Sequence, residues 1–178
     1  PIIGFKKGDT ATVIINYEGI PSDGLIISKN QFGKRTFFGD NWPNRAHNWI
    51  PCVDDPADKA SVEFIVTAPS HYQVISNGIQ IEETNLPSEK KLTHWKEDVP
   101  LPTKVMVIGV ADFAVQHNGF VNNCIPVSSW VYTENKKEAM VHQLYRPLCL
   151  SQTGQCAIQH HIWRYGKCRC HFLCRQYR

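Results

Sequence analysis

No apolar run in the chain approaches the ~20 residues that a membrane-spanning helix requires, so no membrane association is expected. The first residues, Pro1-Ile2-Ile3-Gly4, offer neither a basic leader nor a long apolar stretch with a cleavage site, and no initiator Met is present. Such a start predicts an excised or truncated piece. Acidic residues are absent beyond Glu138: residues 1–138 hold all 16 of them and 13 of the 19 Lys and Arg. Residues 144–178 carry the other six basic residues, together with five of the seven cysteines. The formal charge of +3 therefore averages a mildly acidic body with a basic, Cys-rich tail. Only Cys52 and Cys124 belong to the body, too few for a disulfide framework, and the compartment stays open. There is no internal repeat and no low-complexity stretch. What is present is ordinary: 178 residues at 42% hydrophobic and 20% charged suit one domain with a real core, which excludes a disordered or collagenous chain.

Thr10 to Tyr17, Ser61 to Ala68 and Lys104 to Gln116 alternate or run apolar with β-branched enrichment, the signature of strands. Shorter strands are expected at Gln73 to Ser76, Ile79 to Glu82, Leu92 to Lys96 and Pro126 to Tyr132. Between them lie turn clusters: Pro21-Ser22-Asp23-Gly24, Asn77-Gly78, Asn85-Leu86-Pro87-Ser88 and His117-Asn118-Gly119. Many strands at short spacing predict a mainly β, antiparallel sandwich. The only helical pattern runs from Thr133 to about His142, where Glu134 precedes Lys137 and Glu138 at helical spacing. His47, His71, His94 and His117 fall in different strands and turns without ligand spacing, so packing or surface roles are expected. Trp42, Trp49, Trp95 and Trp130 are expected to anchor the sheets and a domain interface.

Tyr17-Glu18-Gly19 followed by Gly24-Leu25 opens a series of landmarks that continues with Asn44-Arg45-Ala46-His47-Asn48-Trp49-Ile50-Pro51-Cys52-Val53-Asp54-Asp55-Pro56-Ala57-Asp58-Lys59-Ala60. This segment resembles the "AR…PCxDxPxxKA" signature of the M1 (gluzincin) zinc aminopeptidases, the family that includes leukotriene A4 hydrolase and aminopeptidase N. Ala68-Pro69, Ser76-Asn77-Gly78, Trp95, Pro102-Thr103 and Gly109-Val110-Ala111-Asp112-Phe113 follow in the order of that family's further landmarks. Residues 10–133 are thus similar to most of its N-terminal domain, which implies an antiparallel β saddle. One position departs: where the family usually shows Ala-Arg, this chain has Ala46-His47. Asp54, Asp55 and Lys59 are read as a Pro-flanked acidic turn capping local backbone amides rather than a catalytic dyad. Cys52, with no His and Asn placed to activate it, is read as a packed thiol rather than a nucleophile.

The resemblance also implies chemistry that these residues lack. Zinc in this family is held by His-Glu-x-x-His on a helix plus a downstream Glu, and no His-Glu pair occurs anywhere in the chain. The family's Gly-x-Met-Glu-Asn strand, whose Glu binds the substrate's α-amino group, is also missing as amino acids. It is available in another reading frame. Trp163-Arg164-Tyr165-Gly166-Lys167 written TGG AGG TAT GGA AAA and read one nucleotide later begins GGA GGT ATG GAA, then AAT, which is Gly-Gly-Met-Glu-Asn. The same shift permits Ala-Gly-Ala-Ile-Phe beneath Cys168 to Phe172 and Ile-Gly-Pro-Tyr-Ala beneath Tyr145 to Cys149. A frame slip near His142, with Leu144 onward translated out of frame, is therefore expected. Two rival readings of the tail carry less. Cys168-x-Cys170 with His171, Cys174 and His160-His161 has metal donors but irregular spacing. Arg164, Tyr165, Lys167 and Arg169 would form a basic aromatic arm, but out-of-frame text is Arg- and Cys-rich without selection, and no nucleic-acid partner is expected.

One body residue is a functional candidate by resemblance. A Gln or Glu shortly before the Pro-Cys landmark reaches into the family's catalytic cleft and accepts a hydrogen bond from the substrate's N-terminal ammonium; the matching position is Asp40, in Phe38-Gly39-Asp40-Asn41-Trp42-Pro43. A carboxylate suits an ammonium donor, and a plain turn before Trp42-Pro43 is the alternative. The organisation expected is an N-terminal-type β domain over 1–133, a linker or start of the catalytic domain over 134–143 with a short helix, and an irregular, non-native tail over 144–178. The function implied is that of the non-catalytic β domain of a zinc aminopeptidase, which caps the active-site cleft. No catalytic residue or metal ligand is assigned within this chain, which should be inactive alone. Zinc belongs to the intact parent, whose catalytic domain and peptide substrates are the expected partners. The rival function is a stand-alone β-sandwich that binds a protein partner.

Overall fold

The computed structural model describes residues 10–121 and 125–137. The expected linker beyond Lys137, the tail with its Cys and His cluster, and Cys124 lie outside the described residues. Among the described residues, nine strands form three antiparallel sheets. Strand β1 (Leu25–Lys29) and β2 (Arg35–Gly39) make a hairpin, closed by Asn30, whose side-chain oxygen accepts hydrogen bonds from the Phe32 and Lys34 amides at 2.9 and 3.0 Å. With β4 (Gln73–Ser76) and β7 (Ile108–Ala111) they form a four-stranded sheet in the order β1-β2-β7-β4. The second sheet sets the long β6 (Lys90–Pro102) between β3 (Lys59–Pro69) and β5 (Ile79–Leu86). The third is a ribbon of β8 (Phe113–Val121) and β9 (Ile125–Tyr132).

Alternation decides which face each strand buries. Along β6, Lys91, Thr93, Trp95 and Glu97 point inward, while Leu92, His94 and Lys96 lie on the more open face. All four residues of the central strand β7 are buried. Val74, Trp95, Ile108 and Val110 form the core; Phe37, Val66 and Trp130 pack around it from the three sheets, and Trp49 and Tyr72 from the segments between strands. The Trp95 indole donates to the Val74 carbonyl at 3.0 Å, which satisfies the one polar atom of the largest core side chain. Gly78 shows how closely the β4–β5 turn meets β6. Its φ is +83°, and a Cβ there would lie 1.8 Å from the Lys96 carbonyl oxygen, so only glycine fits.

The mainly β, antiparallel architecture is the one expected from the sequence. Several boundaries differ. Thr10 to Tyr17, expected as a strand, is exposed and has no ladder partner among the described residues, because alternation marks a surface that can pair without supplying the pair. The run from Lys104 to Gln116 is divided: Thr103–Val105 form a 3-10 turn, and Asp112 separates β7 from β8 by turning its carboxylate to Thr133 and Lys34. His117-Asn118-Gly119 is a bulge inside β8 rather than a reversal. β5 and β6 run well past their expected ends, since pairing carries polar residues that periodicity alone leaves outside a strand: Glu83 to Leu86 of β5 pair with Thr93 to Lys90 of β6, and beyond Lys96 β6 pairs with β3, Glu97 facing Val62 and Pro102 facing Lys59. Neither β1 nor β2 was expected. Of the helix expected from Thr133, the described part is a 3-10 turn at Thr133–Asn135 followed by helical Lys136 and Lys137.

Candidate functional site

Asp40 lies just past β2, at the head of a loop built from backbone and side-chain hydrogen bonds. Its amide donates to the Gly24 carbonyl at 2.6 Å, which draws the β1 entry and the β2 exit together. Gly24 permits that approach: at φ +78°, a Cβ there would lie 2.3 Å from the Arg45 carbonyl oxygen and against the Trp49 ring. Arg45 then ties the loop at three points. Its Nη2 lies 2.7 Å from Asp40 Oδ2, its Nη1 lies 3.2 Å from Asp23 Oδ1, and its Nε donates to the Trp42 carbonyl at 2.6 Å. Burial opposes the Arg45 charge, but its pairing with Asp40 and Asp23 raises its pKa above the ordinary value. The Asp40 side chain is 32% exposed, so its carboxylate remains partly open to solvent while paired with Arg45.

The residue beside it, which sequence reasoning passed over, anchors the loop. Asn41 is 1% exposed. Its amide nitrogen donates to the carbonyls of Thr103 and Met106 at 3.1 and 2.5 Å, and its oxygen accepts from the Trp49 indole at 2.7 Å. Trp49 in turn stacks on Phe64 of β3, with ring centroids 6.1 Å apart. The only sequence signal for this role is an Asn beside a Trp-Pro pair, which reads equally well as a turn. Trp42, expected as an anchor, is instead 60% exposed, with the Lys104 ammonium 4.8 Å from its ring centroid. Trp49, Trp95 and Trp130 do pack inward.

The acidic segment after Cys52 is structural where the structure describes its contacts. Asp55 accepts from the Ala57 amide at 2.9 Å and so caps its own turn. Asp54 accepts from the Thr103 hydroxyl at 2.6 Å and faces His47 Nδ1 at 2.9 Å. Burial pushes the Asp54 carboxyl up, and the hydrogen bonds from Thr103 and His47 more than offset it, holding the group below the ordinary carboxylate range. His47, at the position where the family shows Arg, thus pairs within the domain. Burial, with Asp54 and Asp58 adding to it, pushes the Cys52 thiol up, which disfavours the thiolate that a nucleophile needs.

The remaining histidines are dispersed. His94 faces Glu63 at 3.2 Å on the open side of the β3-β6-β5 sheet, His117 faces the Ser128 hydroxyl at 3.0 Å, and the His71 ring lies 4.1 Å from that of Tyr72. Among the described residues, no three His, Cys, Asp or Glu converge as metal ligands, so these residues do not fit a zinc site. An open depression of about 420 Å³ lies between the sheets, lined by Gln73, Glu83, Phe113, His117 and Trp130 among others; it includes no residue of the Asp40 loop.

Comparison with known proteins gives this scaffold its family. Human glutamyl aminopeptidase is 27% identical over 100 residues, which is 56% of this chain and 10% of that protein. Leucine aminopeptidase 2 of Neurospora crassa is 30% identical over 70 residues, 39% of this chain and 10% of that protein. Probable aminopeptidase 2 of Sulfurisphaera tokodaii is 32% identical over 68 residues, 38% of this chain and 9% of that protein. The matches thus span about a tenth of the length of these relatives. The description "Peptidase M1 N-terminal domain" matches residues 5–105, more than half of the sequence and the stretch that holds β1 to β6, the Asp40 loop and the Cys52–Lys59 segment. The chain belongs to the M1 peptidase family, through its N-terminal domain.

Proposed function

We propose that this chain is the non-catalytic β domain of a zinc-dependent aminopeptidase, the part that caps the active-site cleft, and that it is inactive by itself. The observation that carries the reading is the family match over residues 5–105 in a chain with no His-Glu pair anywhere in its sequence. M1 aminopeptidases are zinc enzymes whose ligands and general base lie on a catalytic domain, and the relatives extend far beyond the matched region. Asp40 is the residue of this domain that would meet substrate. Its partly exposed carboxylate, backed by Arg45, accepts the N-terminal ammonium of a peptide when the catalytic domain closes over it. From Leu144 the sequence is out-of-frame text, supported by the two family phrases that one shift restores.

Two measurements test this. Sequencing the locus across the codons for His142 to Arg178 and beyond should yield, after a one-nucleotide correction, Gly-Gly-Met-Glu-Asn running on into His-Glu-x-x-His. A confirmed frame that simply stops would overturn the out-of-frame tail and leave a β domain that acts by binding. The purified chain, supplied with zinc and an aminoacyl chromogenic substrate, should release no product above buffer; turnover that a chelator abolishes would refute the assignment of inactivity.

A further inference from the structure

The segment Thr10 to Tyr17 has strand chemistry without a strand's partner. Val13, Ile14 and Ile15 are 64%, 82% and 55% exposed, and no ladder includes them among the described residues. The same molecule has a complementary vacancy. β3 is a sheet edge, pairing on one side with β6 alone among the described strands. It is 11 residues long, with Lys59 and Pro69 at its two ends; over the nine residues between them its only charge is Glu63, and no Pro or Lys interrupts the edge. The other edges fit less well. β1 and β4 have only five and four residues, and β5 carries Glu82 and Glu83 in succession. Both strands of the ribbon are edges too, but β8 is interrupted by the bulge between His117 and Phe120, and β9 carries Pro126 near its start.

The side-chain pattern also matches. Inward along β3 lie Val62, Phe64, Val66 and Ala68; outward lie Glu63, Ile65 and Thr67. On an added strand, Val13, Ile15 and Tyr17 would extend the apolar inner row, while Thr12, Ile14 and Asn16 would lie beside the outer one. Each outer row is polar with one isoleucine at its centre, and those two, Ile14 and Ile65, are among the exposed apolar residues. In the structure the segment sits on none of its own edges. Tyr17 is held by its hydroxyl, which donates to the Trp49 carbonyl at 2.9 Å.

We infer that Thr10–Tyr17 of one copy adds as a strand to β3 of a second copy. The two surfaces differ: reciprocal exchange between two copies closes an isologous dimer, whereas one-way addition is heterologous and propagates. This inference is independent of the enzymatic reading, since it needs only the two surfaces of the chain.

The test is sedimentation velocity of the full chain in reducing buffer, which removes cysteine cross-linking, from about 1 to about 100 μM, the range in which exposed edges associate. The mean mass of the wild type should rise with concentration. Ile14→Lys and Ile65→Lys should each move the midpoint at least roughly tenfold higher, because each places a charge in a desolvated cross-strand contact. Ile79→Lys, on the β5 edge, should not move it. An equimolar mixture of Ile14→Lys with Ile65→Glu should recover association that neither variant shows alone. Ile14 is exposed and unpaired, so its variant keeps the wild-type far-ultraviolet circular dichroism. A wild type that stays monomeric across the range, equal sensitivity to Ile79→Lys, or a mixture that fails to recover would overturn the inference.

Discussion

At Asn41 a single buried amide joins the loop after β2, the Thr103–Met106 turn and the indole of Trp49. Truncation to Ala would strand the Met106 carbonyl and the Trp49 indole N–H in a buried site, at a cost of about 1–3 kcal/mol for each, while the Thr103 carbonyl keeps the Met106 amide as its donor at 3.1 Å. Asn41→Ala is therefore expected to lower stability by about 3 kcal/mol in urea unfolding, whereas Asn48→Ala, which removes a less buried hydrogen bond to the Arg45 carbonyl, should cost about 1 kcal/mol or less. Gly78 is constrained by space and backbone together. Gly78→Ala has to move the Lys96 carbonyl and hold a strained φ, so a loss of more than about 1 kcal/mol is expected from the same measurement. Neither effect is readable from residue type: the sequence shows Ser-Asn-Gly as a turn and Asp-Asn-Trp-Pro as a loop, and the closeness of Lys96 or Met106 depends on strands far along the chain.

Between elements, the β1–β2 hairpin is fastened to the far end of the described chain by charge. Lys34 Nζ lies 2.5 Å from Asp112 and 2.7 Å from Glu134, and Thr133 donates to Asp112 at 2.6 Å. Hydrogen bonding by Lys34, with Thr133 adding to it, holds the Asp112 carboxyl below the ordinary range, and Lys34 does the same for Glu134. Both carboxylates bind protons more weakly folded than unfolded. The contribution is therefore complete above the ordinary carboxylate pKa of about 4 and is lost as pH falls through the lower folded values. Hydrogen exchange of β9 and the Thr133–Asn135 turn should accelerate between about pH 4 and pH 2 more than exchange of β6, and Lys34→Met should remove that difference. Equal acceleration of both regions would show that the clip does not hold the ribbon. The lysine, aspartate and glutamate are 78 and 100 residues apart by number, which is why no motif announces them.

For the molecule as a whole, the core is small and shared. Trp95 from β6 meets Val74, Ile108 and Trp130 from the other two sheets, so the three sheets share one core. Trp95→Ala is expected to cost about 3–5 kcal/mol, a large share of the stability of an ordinary domain, and so to lower the thermal unfolding midpoint by more than about 10 °C, as near-ultraviolet circular dichroism would record. The sequence by itself determined the fold class and the family. Strand alternation and turn residues are local, and the landmarks from Tyr17 to Phe113 are linear text. It also singled out Asp40, by its distance from the Pro-Cys landmark, as a candidate contact for a substrate's ammonium. Tertiary structure decided the rest. Thr10 to Tyr17 has the composition of a strand and yet has no strand partner among the described residues, while Leu25–Lys29 and Arg35–Gly39 pair because β7 lies beside β2. Which carboxylate Arg45 holds, which asparagine is buried and which edge stays open follow from contacts between segments distant in the chain. A pattern of residues specifies what a surface can bind, and only the assembled sheets determine what it meets.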